Sequence, residues 1–262
     1  MSFKDYFSQH ASDYAQYRPD YPPALFEYLA SLTLEHNLAW DCATGNGQAA
    51  LGLTPFYRKI IASDASAQQI QSAKSHPQIT YQVMPAEQTT FADKSVDLIC
   101  VAQAMHWFDF DKFYAEVERI LKPTGILAAW CYSLFEIDNN PAANKIIATF
   151  YWDITNPYWA PERQLIDKEY KTILFPFKTI NTPTFFMERT WNLEQLLHYI
   201  NTWSGVKNYE TQRAKNPLTL ISDTLLNAWG DPQQTYLIRW PIHLLIGFPA
   251  SSNREKNANI SN

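Results

Sequence analysis

The feature that constrains this chain most is its rhythm between residue 38 and about 132, where short runs suited to β-strands alternate with stretches suited to helices. Parallel strands need a crossover between them, and the usual crossover is a helix, so this alternation predicts a parallel sheet covered on both faces. Strands are expected at Leu38–Cys42, Lys59–Asp64, 79–84, 96–103 and 125–132. Helices are expected from Gln48, over about 66–75 with Ser66 as N-cap, and over about 109–121, ending before the sequence KPTG. Five strands joined in this way make a doubly wound α/β fold.

After Ser133 the rhythm breaks into a segment rich in Tyr, Trp, Phe and Pro, with FYWDITNPYWAPE at its centre and no clean period. It reads as an insertion over 133–183. A strand-like TFFMERTW follows, then helical NLEQLLHYINTW and LISDTLLNAWG, and TYLIRWPIHLLIGF as a last strand. Residues 1–36 read as helices joined through YRPDYPP, where the prolines force an extended turn. The expected organisation is one domain over 1–250, with 1–36 as an N-terminal cap, 133–183 as a lid, and a polar tail over 251–262.

With 262 residues the chain can bury a core that needs no disulfide or metal staple. Aromatic residues make up 15% and include nine Trp, enough to wall a pocket as well as fill a core. The net charge of −5, without a Lys/Arg run, gives no footprint for a nucleic acid. Cys42, Cys100 and Cys131 lack CxxC spacing and sit in apolar runs, so they read as buried small hydrophobes, with no metal site and a reducing compartment. No leader-like or membrane-spanning apolar stretch is apparent, which makes a cytoplasmic protein the expectation, as monomer or homodimer.

The chemistry is concentrated in LAWDCATGNGQAA. Gly45-Asn-Gly47-Gln-Ala-Ala50 fits the G-x-G-x-x-G/A pattern between a strand and a helix, where backbone N–H groups meet a ligand. Asp64 ends the next strand nineteen residues after Gly45, the position from which a carboxylate accepts from a ribose hydroxyl pair. Asp41 decides which nucleoside. A pyrophosphate beside it would meet a like charge at a cost on the order of several kcal/mol at 4 Å, whereas the ammonium and sulfonium of S-adenosylmethionine would meet a counter-charge. Ala86 and Glu87, after the third strand, are expected at the adenine. Gln103, ending the fourth strand, is expected beside the sulfonium, and Ala43, Thr44, Gln48 and Ala65 complete the donor site.

These residues, with YAQYRPDYP, SDAS, AQAMHWFDFDKF, LKPTG and PYWAPER, resemble the class I S-adenosylmethionine-dependent methyltransferases, in the branch that includes trans-aconitate methyltransferase-like proteins. The resemblance implies a Rossmann-like sheet of seven strands, six parallel and one antiparallel. By matching position it places Asp41, Gly45 and Gly47 at the methionine part of the donor, Asp64 at the ribose, and Ala86 with Glu87 at the adenine. It also implies a helical flap in which Tyr14, Tyr17 and Arg18 cover the donor, Tyr17 touching it and Tyr14 and Arg18 facing the acceptor. Two departures stand out. Cys42 and Thr44 are substitutions that keep the turn, and Pro85 stands where many relatives carry an Asp that reaches the adenine amine.

Methyl transfer is an in-line displacement at an activated carbon, so a base is needed only for an acceptor that must lose a proton. A carboxylate needs none. For a hydroxyl, phenol or acidic carbon, His106 is the expected base, set against a plain packing role. Trp107, Tyr158 and Trp159 are expected to line the acceptor pocket with Phe108, and Arg18 and Arg163 to receive an acceptor carboxylate by two-pronged contacts. Two other readings stand beside this one: a nicotinamide-dependent oxidoreductase, and a protein that binds an adenosyl ligand without turnover. The acceptor is expected to be a small molecule, with a carboxylic acid foremost.

Overall fold

The computed structural model describes residues 18–249. The first five strands are β1 (Leu38–Cys42), β2 (Lys59–Asp64), β3 (Ile79–Val83), β4 (Val96–Ala102) and β5 (Leu121–Tyr132). They lie in the order β3-β2-β1-β4-β5 and all run parallel. Their apolar runs are continuous because both faces are covered: Ala39, Trp40, Ile60, Ala62, Leu98, Ile99 and Cys100 are fully enclosed. Strand order reverses between β1 and β4, and at such a switch point the loops after adjacent strands diverge and leave a crevice.

Helices α1 (Pro23–Ser31), α2 (Gln48–Leu53), α3 (Ala67–Ser72) and α4 (Phe110–Ile120) lead into or cross between these strands. Ser66 caps α3 by accepting from the Gln69 N–H, and Asp109 caps α4 by accepting from the Lys112 N–H. The KPTG stretch does not separate α4 from β5. The chain passes from Ile120 directly into the strand, with a register shift between Val96 and Leu98 absorbing the irregular start.

The sheet has nine strands among the described residues, against the seven expected. β9 (Tyr236–Phe248) runs antiparallel to β5 and is long enough to pair with three more segments: β6 (Glu136–Ile137), β7 (Lys178–Thr179) and β8 (Phe185–Trp191). The two additional strands are two residues each, too short to leave a period in the sequence. β9 tolerates Pro241 because it falls between the part paired with β5, which ends at Ile242, and the part paired with β6, at Ile238 and Arg239.

The aromatic insertion is more ordered than its sequence suggests. Asn140 caps α5 (Pro141–Thr149), whose last turn widens into a π-type turn over Phe150–Thr155. Asn156–Tyr158 forms a short turn, and α6 (Arg163–Asp167) follows. Phe150 and Tyr151 are buried while the adjacent Trp152 is exposed, so aromatic residues on opposite faces hide the helical period. Beyond β8 come α7 (Leu193–Asn201), α8 (Ser204–Arg213) and α9 (Ser222–Trp229). α8 is largely polar and was not expected. It meets the insertion through Gly205, where a Cβ would lie 2.7 Å from the Trp159 ring.

Candidate active site

The glycine turn leaves β1 at Cys42, and Ala43, Gly45 and Gly47 all take positive φ, of 56°, 56° and 87°. Gly47 is the N-cap of α2, and the Tyr81 hydroxyl lies where its Cβ would be, at 2.3 Å. Gly45 is different. Among the described residues nothing comes closer to its missing Cβ than Gln69 Oε1 at 3.9 Å, an ordinary contact, so the turn leaves a cradle on that side.

Asp41 does not reach that cradle. It is fully enclosed: Oδ2 accepts from the Thr44 hydroxyl at 2.5 Å and the Ala50 N–H at 2.9 Å, and Oδ1 faces the Cys100 thiol at 3.4 Å. The expected direct pairing with a ligand's ammonium is therefore corrected, because the carboxylate braces the turn from beneath. Burial pushes its carboxyl up to about 6, against the lowering contacts from Thr44, Cys100 and Ala50. Thr44 likewise turns inward to Asp41.

Asp64 stands at the edge of the cradle. Its Oδ2 accepts from the Gly45 N–H at 3.0 Å and its Oδ1 from the Ser66 N–H at 2.9 Å. Both carboxylate oxygens thus face the loop at the strand ends, where a carboxylate can accept from ribose hydroxyls. Ala65 is exposed next to it, Ala86 is buried, and Glu87 Oε1 accepts from the Asp109 N–H at 3.2 Å. Asp41, Glu87 and Asp64 together raise the Cys42 thiol, after burial. Three acids thus lie near the residue from which the turn leaves β1.

Gln48 and Gln103, both expected at the donor, are engaged elsewhere. Gln48 Nε2 donates to the Pro19 carbonyl and to Asp20 Oδ1, each at 3.0 Å, tying the segment ahead of α1 to the first turn of α2. Gln103 pairs with the backbone of Tyr132. In both cases hydrogen-bond partners from a neighbouring segment take the amide away from the crevice.

At the far side of the crevice His106 is buried and its Nδ1 lies 3.2 Å from the Tyr170 hydroxyl. Burial, and then the charge of Arg163, hold its pKa down at about 3. An imidazole held neutral in this way accepts a proton reluctantly, which favours the packing role that was set against the base role. Arg163 stacks 4.5 Å from the Trp159 ring centroid and donates through Nε to the Tyr151 hydroxyl at 3.0 Å, with Asp167 Oδ1 at 3.5 Å. Arg18 enters from the N-terminal side, donates to the Tyr132 hydroxyl and lies 5.7 Å from the Tyr199 ring centroid. Trp107 is partly exposed at the rim and packs against His106 at 4.6 Å. Tyr158 points away, its hydroxyl accepting from Arg213 Nε at 2.9 Å, so it belongs to the outer wall. Tyr14 and Tyr17, and the flap ahead of Arg18, lie outside the described residues.

Sequence reasoning missed Tyr132, Tyr151, Tyr170, Tyr199 and Asp167, which hold the two arginines and His106. Two of them carried a signal. Tyr132 ends β5 at a strand carboxyl end, and Asp167 follows Arg163 by four residues on a helix.

The comparisons with known proteins agree with this geometry. A family model described as a methyltransferase domain matches residues 40–129, the stretch from β1 into β5 that carries the glycine turn. A protein of Dictyostelium discoideum named as a methyltransferase is 33% identical over 250 residues, covering 93% of this chain and 95% of its own. The chain belongs to the methyltransferases. A solved structure named as a type II methyltransferase, from Anaeromyxobacter dehalogenans, superposes with a TM-score of 0.83 at 38% identity, covering 88% of this methyltransferase and 97% of that chain. A Saccharomyces cerevisiae protein named as an S-adenosylmethionine-dependent methyltransferase is 25% identical over 158 residues, 57% of this chain and 53% of its own. The oxidoreductase reading is not favoured, which accords with the acids beneath the turn. Among the described residues of the methyltransferase, no helix is long and apolar enough to cross a membrane.

Proposed function

We propose that this methyltransferase uses S-adenosylmethionine to methylate a carboxylate of a small molecule. The observation that carries the reading is the pair of cations set into aromatic walls at one end of the sheet. Arg18 lies against Tyr132 and Tyr199, and Arg163 against Trp159 and Tyr151. Tyr199 feels both: burial raises its hydroxyl to about 12, with Arg18 acting against that rise, and Arg163 in turn feels Tyr199. Asp167 meets Arg163 at 3.5 Å, and both guanidinium groups present the planar fork that receives a carboxylate by two parallel contacts.

Bound at the glycine turn, S-adenosylmethionine supplies an electrophilic methyl carbon. The residues present fit it, through the face of Gly45 left clear among the described residues and the Asp64 carboxylate bonded to the Gly45 N–H. Arg18 and Arg163 would orient the acceptor oxygen toward the turn. His106, neutral and bonded to Tyr170, forms a wall beside that path without taking a proton, because a carboxylate has none to give near neutral pH. The aromatic shell excludes water, which strengthens the charge contacts inside it. A small organic acid, as in the trans-aconitate methyltransferase-like branch, accords with this arrangement.

The experiment is transfer of labelled methyl from S-adenosylmethionine to paired acceptors, di- and tricarboxylic acids against their amides and against simple phenols. Label released by mild base from the acid products, with none from amides or phenols, supports the reading. Label that stays on phenols or amines overturns it.

A further inference from the structure

We propose that Gln103 is a positioning residue for the acceptor pocket, acting through Tyr132 without touching the donor; the inference rests on the reading of Arg18 as a carboxylate partner. Strand β4 ends where Ala102 pairs with Trp130 on β5. The next residue, Gln103, turns into the left-handed region at φ 56°, uncommon for a residue with a side chain, yet its own N–H still donates to the Trp130 carbonyl at 2.8 Å. This turn folds the side chain back along β5. There Oε1 accepts from the Tyr132 N–H at 2.8 Å and Nε2 donates to the Tyr132 carbonyl at 3.2 Å.

The side-chain amide thus stands in for a peptide group and adds one more rung to the ladder after the strand has left it. Tyr132 is held from both sides, by this rung and by Ile242 on β9. Its hydroxyl receives Arg18, and the Arg18 guanidinium faces Tyr199. Gln103 therefore fixes the backbone from which the Arg18 contact hangs. A residue serving only to fill space would not require a carbonyl and an amide in that order, nor a positive φ to aim them.

The test uses Gln103→Met, close in volume without hydrogen bonds, and Gln103→Glu, which keeps the acceptor for the Tyr132 N–H and loses the donor to its carbonyl. Three quantities are measured on the full chain: hydrogen exchange at the Tyr132 amide, affinity for S-adenosylhomocysteine by calorimetry, and affinity for propane-1,2,3-tricarboxylate in its presence. For Gln103→Met, Tyr132 exchange should quicken at least tenfold and tricarboxylate affinity fall at least fivefold, with S-adenosylhomocysteine affinity held within twofold. Gln103→Glu should keep slow Tyr132 exchange, and it serves if the Met variant does not fold. Unchanged Tyr132 exchange in Gln103→Met overturns the proposal, as does a loss of S-adenosylhomocysteine affinity as large as that for the acid. Arg18→Ala separates the two readings. If it leaves tricarboxylate affinity intact, or if wild type shows no saturable binding of the acid, the carboxylate reading fails, and Tyr132 exchange alone then decides the role of Gln103.

Discussion

The Asp41 carboxylate accepts from the Ala50 N–H at 2.9 Å, so the acid that lies in β1 holds the first turn of α2 in place. With Thr44 bonded to the same oxygen, this one buried side chain ties the start of the glycine turn to the helix that follows it. Asp41→Ala would leave the Ala50 N–H and the Thr44 hydroxyl without their partner. A loss of about 2–4 kcal/mol in unfolding free energy is expected in chemical denaturation, because buried donors left unsatisfied cost about 1–3 kcal/mol each. Donor affinity should fall along with stability. A variant of full stability that had lost only donor affinity would return Asp41 to the direct contact that the sequence suggested.

The two glycines of the turn should respond differently to Ala. Gly47 sits at φ 87° with the Tyr81 hydroxyl against it, so Gly47→Ala is expected to lower stability by about 1–2 kcal/mol, the cost of a left-handed L-residue. Gly45 sits at φ 56°, and among the described residues only Gln69 Oε1, at 3.9 Å, lies near its missing Cβ. For Gly45→Ala, S-adenosylhomocysteine affinity measured by calorimetry should drop at least tenfold, a larger effect than its stability loss, since the new methyl enters the cradle. Equal donor affinity in wild type and Gly45→Ala would contradict that placement.

His106 should make the protein acid-sensitive. Its pKa, held at about 3 in the folded chain by burial and Arg163, is near 6.5 when unfolded. Between these values the unfolded state binds the extra proton, so its contribution to stability is whole above pH 6.5 and is lost as pH falls toward 3, on the order of 4 kcal/mol. Asp41 acts oppositely, because its raised carboxyl binds a proton in the folded state below about pH 6. The comparison of wild type with His106→Gln isolates the histidine: the difference in unfolding free energy should shrink as pH drops from 7 to 4. The same variant should show no new pH limb in the rate of methyl transfer, since His106 is neutral across the working range. A bell-shaped profile whose acid limb near 6 vanishes in His106→Gln would restore the base role.

Arg163 is the cation of α6, and its planar fork stacks on Trp159 while Nε bonds Tyr151. Arg163→Lys keeps the charge and loses the fork. The expected result is a rise in acceptor KM of about tenfold, corresponding to roughly 1.4 kcal/mol, with S-adenosylhomocysteine affinity unchanged. Steady-state kinetics with the acceptor acid as varied substrate would show it, and an unchanged KM would remove Arg163 from the acceptor site.

The sheet from β1 to β5 was legible because its strands are continuous apolar runs and its turns carry their own chemistry, Gly47 and Ser66 above all. β6 and β7 were not, because two residues leave no period. The insertion hid α5 and the π-type turn because Tyr151 faces the core while Trp152 faces outward. At the site, Gly45 and Asp64 could be placed from spacing alone, since strand ends fix where they stand. Gln48 and Gln103 could not, because what turns them from the crevice is distant in sequence: Pro19 and Asp20 for one, Tyr132 for the other. Asp41 shows the same limit in another form. Sequence places the acid at the turn, and only packing against Thr44, Ala50 and Cys100 reveals that it faces inward.

The most direct measurement is calorimetry of the wild-type chain and of Asp64→Ala with S-adenosylmethionine, S-adenosylhomocysteine and NAD. The expected result is saturable binding of both adenosyl ligands to the wild type, at least tenfold weaker binding of both to Asp64→Ala, and no measurable heat with NAD. Saturable binding of NAD with none of S-adenosylhomocysteine would contradict it.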